Sequence, residues 1–207
     1  MAEQFIKAYS LEIEELMNVI GSDDRSIIKS IKENEELMEE VEGLIQEMEE
    51  GTVEEFLIDI ITNKLYKNKA YAYVRVLELL LEVKADRLDE EAVFPGRGWQ
   101  DIGKIFSKWG LPTLAKIWCS PHFKFPWPKE VKVELADWPI AMLIERKDIP
   151  TLKAEIKNFN PAITKKHPLP ERQKGLEEEV VVFLEQLKNW ISQYNNKDVV
   201  LLLDGQQ

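Results

Sequence analysis

Cysteine is almost absent from this chain. Cys119 is the only one in 207 residues, so no intrachain disulfide can form. That excludes a disulfide-stapled scaffold and fits a reducing compartment. Histidine is scarce as well. His122 and His167 are the only two, and neither a Cys-x-x-Cys nor a His-Glu-x-x-His spacing occurs. No metal ligand set and no cofactor is therefore assigned. Long apolar runs are missing too. The greasiest stretch, residues 74–83, is interrupted by Arg75, Glu78 and Glu82, and is too short and too charged to span a bilayer. The N-terminus has no basic region followed by an apolar run, so it does not read as a signal peptide. The cytoplasm is the expected location. Phosphate cradles are lacking: Gly96-Arg97-Gly98 is neither a P-loop nor a dinucleotide fingerprint and reads as a plain turn.

Positive charge is nearly absent from the first third. Residues 1–60 carry 18 acids and 4 bases (Lys7, Arg25, Lys29, Lys32), a net of −14, while the remainder is slightly basic and brings the whole chain to −11. Such a surface repels phosphate backbones and anionic membranes, and attracts a basic partner. The plainer alternative is a solvated acidic face that keeps the protein in solution.

What is present is a globular composition, 44% hydrophobic and 31% charged, with a chain long enough for one sizeable core. Residues 5–9 read as a first strand. Ser10 is placed to cap a helix over residues 11–20, with Gly21 as its left-handed stop. Ser22-Asp23-Asp24 opens the next helix. It is expected to run to about residue 50, because Ile31, Asn34, Met38, Val41, Ile45 and Met48 recur at three-four spacing. That seam suits packing within the domain, or a short coiled-coil homodimer in which Asn34 fixes the register. Thr52 and Glu55 form a capping box before a helical face of Val53, Phe56, Leu57, Ile60 and Ile61. Residues 70–83 are apolar almost all round, apart from Arg75, Glu78 and Glu82, and belong at the centre of the fold.

The composition changes at Phe94. Five of the six tryptophans and six of the ten prolines lie in residues 94–139. Short helices fit residues 99–108 and 113–118, whereas Pro121, Pro126 and Pro128 bar regular helix over residues 119–128. Residues 139–144 suit a strand. Asp148 caps a helix to about Phe159, residues 176–194 form a strong last helix, and residues 199–203 read as a buried final strand.

The Ala8-Tyr9 strand, the Gly21-Ser22-Asp23-Asp24 helix end, the Ala70-Tyr71-Ala72-Tyr73 helix, the Trp138-Pro139-Ile140 strand and the closing helix–strand pair together resemble the uncharacterised bacterial YfbM-like proteins. The resemblance implies a compact α+β domain and supplies no catalytic residues. Some small acidic proteins of that kind are suspected to act beside toxins.

Candidate chemistry is sparse. Cys119 and His122 are three apart with Pro121 between them, and the aromatic neighbours would raise the thiol pKa rather than activate it. Asp101 and Asp137 are a carboxylate pair beside tryptophans. No catalytic residue is assigned. Trp118, Phe123, Phe125 and Trp127, with Trp138, form either an aromatic recognition surface or the closure of the core under irregular loops.

The expected fold is a single helix-rich α+β domain over residues 1–207, with a small mixed sheet made from the first strand, the strand near residues 139–144 and the last strand. Its parts are an acidic helical region (1–83), an aromatic and proline-rich region (94–139) and a helix–strand region (148–203). The expected function is a non-enzymatic cytoplasmic interaction protein, a monomer or homodimer that binds no nucleic acid or membrane. Its binding residues are Glu35, Glu39, Glu42 and Glu49, with Trp118, Phe123, Phe125 and Trp127. The partner is a basic protein such as a toxin, which makes an immunity or antitoxin role the sharpest version. The alternative is a small enzyme with its site in residues 99–138.

Overall fold

The computed structural model describes residues 4–47, 51–88, 91–94, 99–119, 140–171, 174–193 and 196–205. Its organising element is an antiparallel sheet. The central strands are β1 (Gln4–Leu11) and β5 (Asp198–Gly205), paired along their full length from Gln4↔Gly205 to Leu11↔Asp198. β4 (Ile140–Ile144) lies outside β5. Two short strands, β2 (Asp86–Arg87) and β3 (Ala92–Phe94), share the outer edge of β1. Every described pairing is antiparallel, so the sheet is not mixed.

Helices cover both faces, which is why residues 199–203 read as an unbroken apolar run and are wholly buried. On one face lie α1 (Ile13–Met17), α2 (Ser26–Lys32), α3 (Glu35–Gln46), α4 (Val53–Ile61) and α5 (Ala70–Lys84). On the other lie α6 (Trp99–Lys108), α7 (Pro112–Trp118), α8 (Ile149–Asn158) and α10 (Glu177–Gln193). The short helix α9 (Ile163–Lys166) packs Ile163 against that second core. The architecture is a helix-rich α+β domain.

Several local expectations hold. The Thr52–Glu55 capping box is formed in both directions. Helix α5 runs through the first core with Ala70, Tyr73 and Leu77 buried. Gly21 has φ +74°, within the left-handed region that glycine favours. It lies beyond the short α1 and a turn.

Three expectations fail, the first because long-range pairing overrides a local signal. Ser10 does not cap a helix. Pairing with β5 extends β1 through Leu11, and Ser10 is buried in that strand with its hydroxyl unpartnered. The Asp198 carboxylate, brought alongside by β5, instead accepts from the Ile13 N–H at 3.3 Å. The long helix from Asp24 to residue 50 is two helices. Asn34 is not a seam position but the N-cap of α3, its side chain accepting from the Leu37 N–H at 3.3 Å. Ile31, Val41 and Ile45 are buried in the chain's own core, so these three positions offer no seam to a second copy. Met48 lies outside the described residues.

Candidate functional site

The corner between α2 and α3 stands over α5 and leaves a crevice of about 320 Å³. Ile31 and Leu79 are buried at its floor, Leu37 and Val83 are half-buried, and Ser30 and Glu33 are exposed at its rim. A neighbouring hollow of about 210 Å³ shares Asn34, Leu37 and Glu82, and adds Lys7, Arg87, Glu36 and Glu40. Small-molecule sites span about 300–1,000 Å³. The crevice is at the lower limit, which suits one side chain better than a large ligand.

The polar groups beneath it come from three elements that the sheet brings together. Lys7 on β1 donates to Glu78 on α5 at 2.6 Å. Tyr9, two residues along the same face of β1, donates from its hydroxyl to Glu82 Oε1 at 2.7 Å. Arg87 on β2 reaches the same Oε1 at 3.4 Å and also pairs with Glu91. Glu82 Oε2 has no hydrogen-bond partner among the described residues. Burial pushes the Tyr9 hydroxyl far above its ordinary pKa, with Glu78 and Glu82 adding to the shift, so it remains a donor. Burial also pushes the Glu78 carboxyl up, against the pull of Lys7. Both cations in the hollow are thus paired, and the surplus charge is negative. Glu33, Glu36, Glu40 and Glu82 carry it.

The same corner begins the acidic face of α3. Glu35, Glu36, Glu39 and Glu40 are exposed, and none forms an ion pair with a described residue. Glu35 and Glu39 are therefore where the sequence places them. Glu42 is not a free binding group. It is half-buried, accepts from the Val53 N–H at 2.7 Å, and so stabilises the N-terminus of α4. Glu49 lies outside the described residues.

The aromatic segment divides. Trp118 is fully buried among Phe94, Phe106 and Phe183, so it is core and not a recognition surface. Trp99 and Trp109 are buried as well. Phe123, Phe125, Trp127, Trp138, His122 and Asp137 lie outside the described residues, as does the Gly96-Arg97-Gly98 turn. Asp101 is paired with Lys104 at 2.9 Å. Cys119 is exposed rather than buried. Partial burial of its sulfur pushes the thiol up, with Lys104 pulling it back, which is the opposite of activation.

Among the described residues, Glu12, Glu14 and Asp198 bring carboxylate oxygens within 4.8 Å of one another. Asp198 spends its oxygens on the N–H groups of Ile13 and Arg146, and Glu12 pairs with Arg146. Two of the three carboxylates therefore already have structural partners. No helix among the described residues is long and apolar enough to cross a membrane.

The family profile of DUF7691, a domain of unknown function, matches residues 2–203. The chain belongs to this family. The match takes in the whole described sheet up to Leu203, both helical layers and every residue of the crevice. Neither the curated proteins nor the solved structures give a match.

Lys7, Glu82 and Arg87 were not candidates on sequence grounds. They are remote in the chain and meet only through strand pairing. Asn34 had a readable signal, since asparagine is among the strongest N-caps.

Proposed function

We propose that the chain is a non-enzymatic cytoplasmic interaction protein that binds a basic protein partner through the outer face of α3. The observation that carries this reading is the row Glu35, Glu36, Glu39 and Glu40, exposed without ion pairs to described residues beside a crevice of surplus negative charge. Charge arranged in this way steers a basic partner and sets its orientation. In the sharpest form the partner is a toxin and the role is that of a bacterial immunity or antitoxin protein. The resemblance to YfbM-like proteins and the −14 charge of residues 1–60 support that form.

The test compares two double charge reversals with the same change in net charge. Glu35→Lys/Glu39→Lys alters the proposed face. Glu178→Lys/Glu179→Lys alters the exposed start of α10 on the other side of the sheet. Affinity for poly-L-lysine at low salt is expected to fall about tenfold or more in the first variant and only a few-fold in the second. Equal losses would mean that net charge alone is being read, and the α3 face would lose its role.

A further inference from the structure

We propose that the crevice under the α2–α3 corner is a socket for one lysine or arginine side chain, with Glu82 as its anchor. The proposal rests on the acidic-face reading and deepens it: α3 attracts the partner, and the crevice captures a single cationic residue of it.

Three features fit that guest. First, the floor is apolar. Ile31 and Leu79 are buried there, with Leu37 and Val83 beside them, a surface for the aliphatic stem of a long basic side chain. Second, the polar groups are acceptors in excess. Glu33 and Glu82 line the crevice, and Glu36 and Glu40 line the adjoining hollow, while Lys7 is committed to Glu78 and Arg87 to Glu82 and Glu91. Among the described lining residues an anionic guest would find no spare cation, whereas a cationic one finds spare carboxylate. Third, Glu82 is held in place on one side only. Tyr9 and Arg87 both donate to Oε1, which fixes the carboxylate and leaves Oε2 as the open acceptor. A half-buried, oriented carboxylate forms a stronger bond to an ammonium or guanidinium than an exposed, mobile one. The crevice is also too small for a folded element but adequate for one side chain.

The test uses the full chain and two small probes of equal stem length, N-acetyl-lysine amide and N-acetyl-norleucine amide. Their binding is followed by amide NMR shifts. The lysine probe is expected to shift Ser30, Leu37 and Val83 in a saturable way, at least about tenfold more tightly than the norleucine probe, as one charge-assisted bond to Glu82 requires. Glu82→Gln should weaken the lysine probe by a similar factor. Because that change also touches Tyr9 and Arg87, a second variant is needed. Ser30→Trp fills the mouth from an exposed position, leaves the charge unaltered and should abolish the saturable shifts. Equal binding of the two probes would overturn the socket, as would a Ser30→Trp protein that binds lysine undiminished. If Glu35→Lys/Glu39→Lys weakens poly-L-lysine binding but Ser30→Trp and Glu82→Gln leave the lysine probe unaffected, the socket fails and the acidic-face reading stands. If the reversal has no effect while the socket variants do, the acidic-face reading fails instead.

Discussion

Trp118→Ala is expected to destabilise the fold by about 3–5 kcal/mol, the usual cost of deleting a large buried aromatic. The indole is fully buried. Its ring centre lies 4.7 Å from Phe94, 5.3 Å from Phe183 and 5.4 Å from Phe106, so a strand and two helices would lose contact at once. Its N–H donates to the Trp99 carbonyl at 2.9 Å in a buried bond, and truncation orphans that acceptor. Relaxation into the void is restricted because α6 and α7 already touch. A Cβ added at Gly103 would lie 2.9 Å from the Cys119 sulfur and 3.3 Å from the Trp118 Cβ, atoms that remain in the variant. Urea unfolding followed by far-ultraviolet circular dichroism measures the loss. A loss below about 1 kcal/mol would mean that the ring is not in the core. The folded variant should bind poly-L-lysine as the parent does, since Trp118 and α3 belong to opposite faces of the sheet.

Lys7→Met is expected to cost a similar amount at neutral pH. Glu78 is almost wholly buried, its side chain 4% exposed, and Lys7 is its ion-pair partner at 2.6 Å. Removing one member of such a pair leaves a charge without compensation, at a typical cost of about 3–5 kcal/mol. The sign of the pH dependence follows from Glu78. Burial holds its carboxyl above the ordinary glutamate value, and Lys7 draws it back. Without Lys7 the carboxyl climbs further. The folded chain then keeps a proton that the unfolded chain has released, so stability falls as pH rises from the ordinary glutamate value to the raised one. The variant should therefore lie closest to the parent in acid and furthest from it near pH 7. Lys7→Met/Glu78→Leu should regain most of the loss. Urea unfolding at both pH values checks this. A single variant as stable as the parent at neutral pH, or a double variant no better than the single, would show that the pair is not buried as described.

The legible parts of this fold were those whose signal is local. The Thr52 capping box, the apolar girth of α5 and the unbroken run of β5 each point to one structure at short range. The parts that stayed hidden depend on distant pairing. Asp86–Arg87 and Ala92–Phe94 are too short, and the first too charged, to read as strands; they become strands only beside β1. Ser10 carries a cap signal that β5 overrides. The break at Asn34 is different: it was readable only from the asparagine itself, because apolar spacing continues on both sides of it.

The candidate site was legible by half. Glu35 and Glu39 follow from charge and helical periodicity alone. Glu42 reads identically in sequence, yet the turn into α4 engages it with the Val53 N–H. Glu78 and Glu82 stood out as polar positions of an apolar helix, but nothing local reveals that β1, α5 and β2 place them with Lys7 and Arg87 under one crevice.

The proposed binding surface is α3 and its corner rather than the total negative charge. It is tested most directly by mapping a lysine decamer onto the protein through amide NMR shifts at low salt. Shifts are expected to concentrate on Glu35, Glu36, Glu39, Glu40 and the crevice residues, with α10 unmoved. Shifts spread evenly over all acidic surfaces, or centred on Glu178 and Glu179, would contradict it.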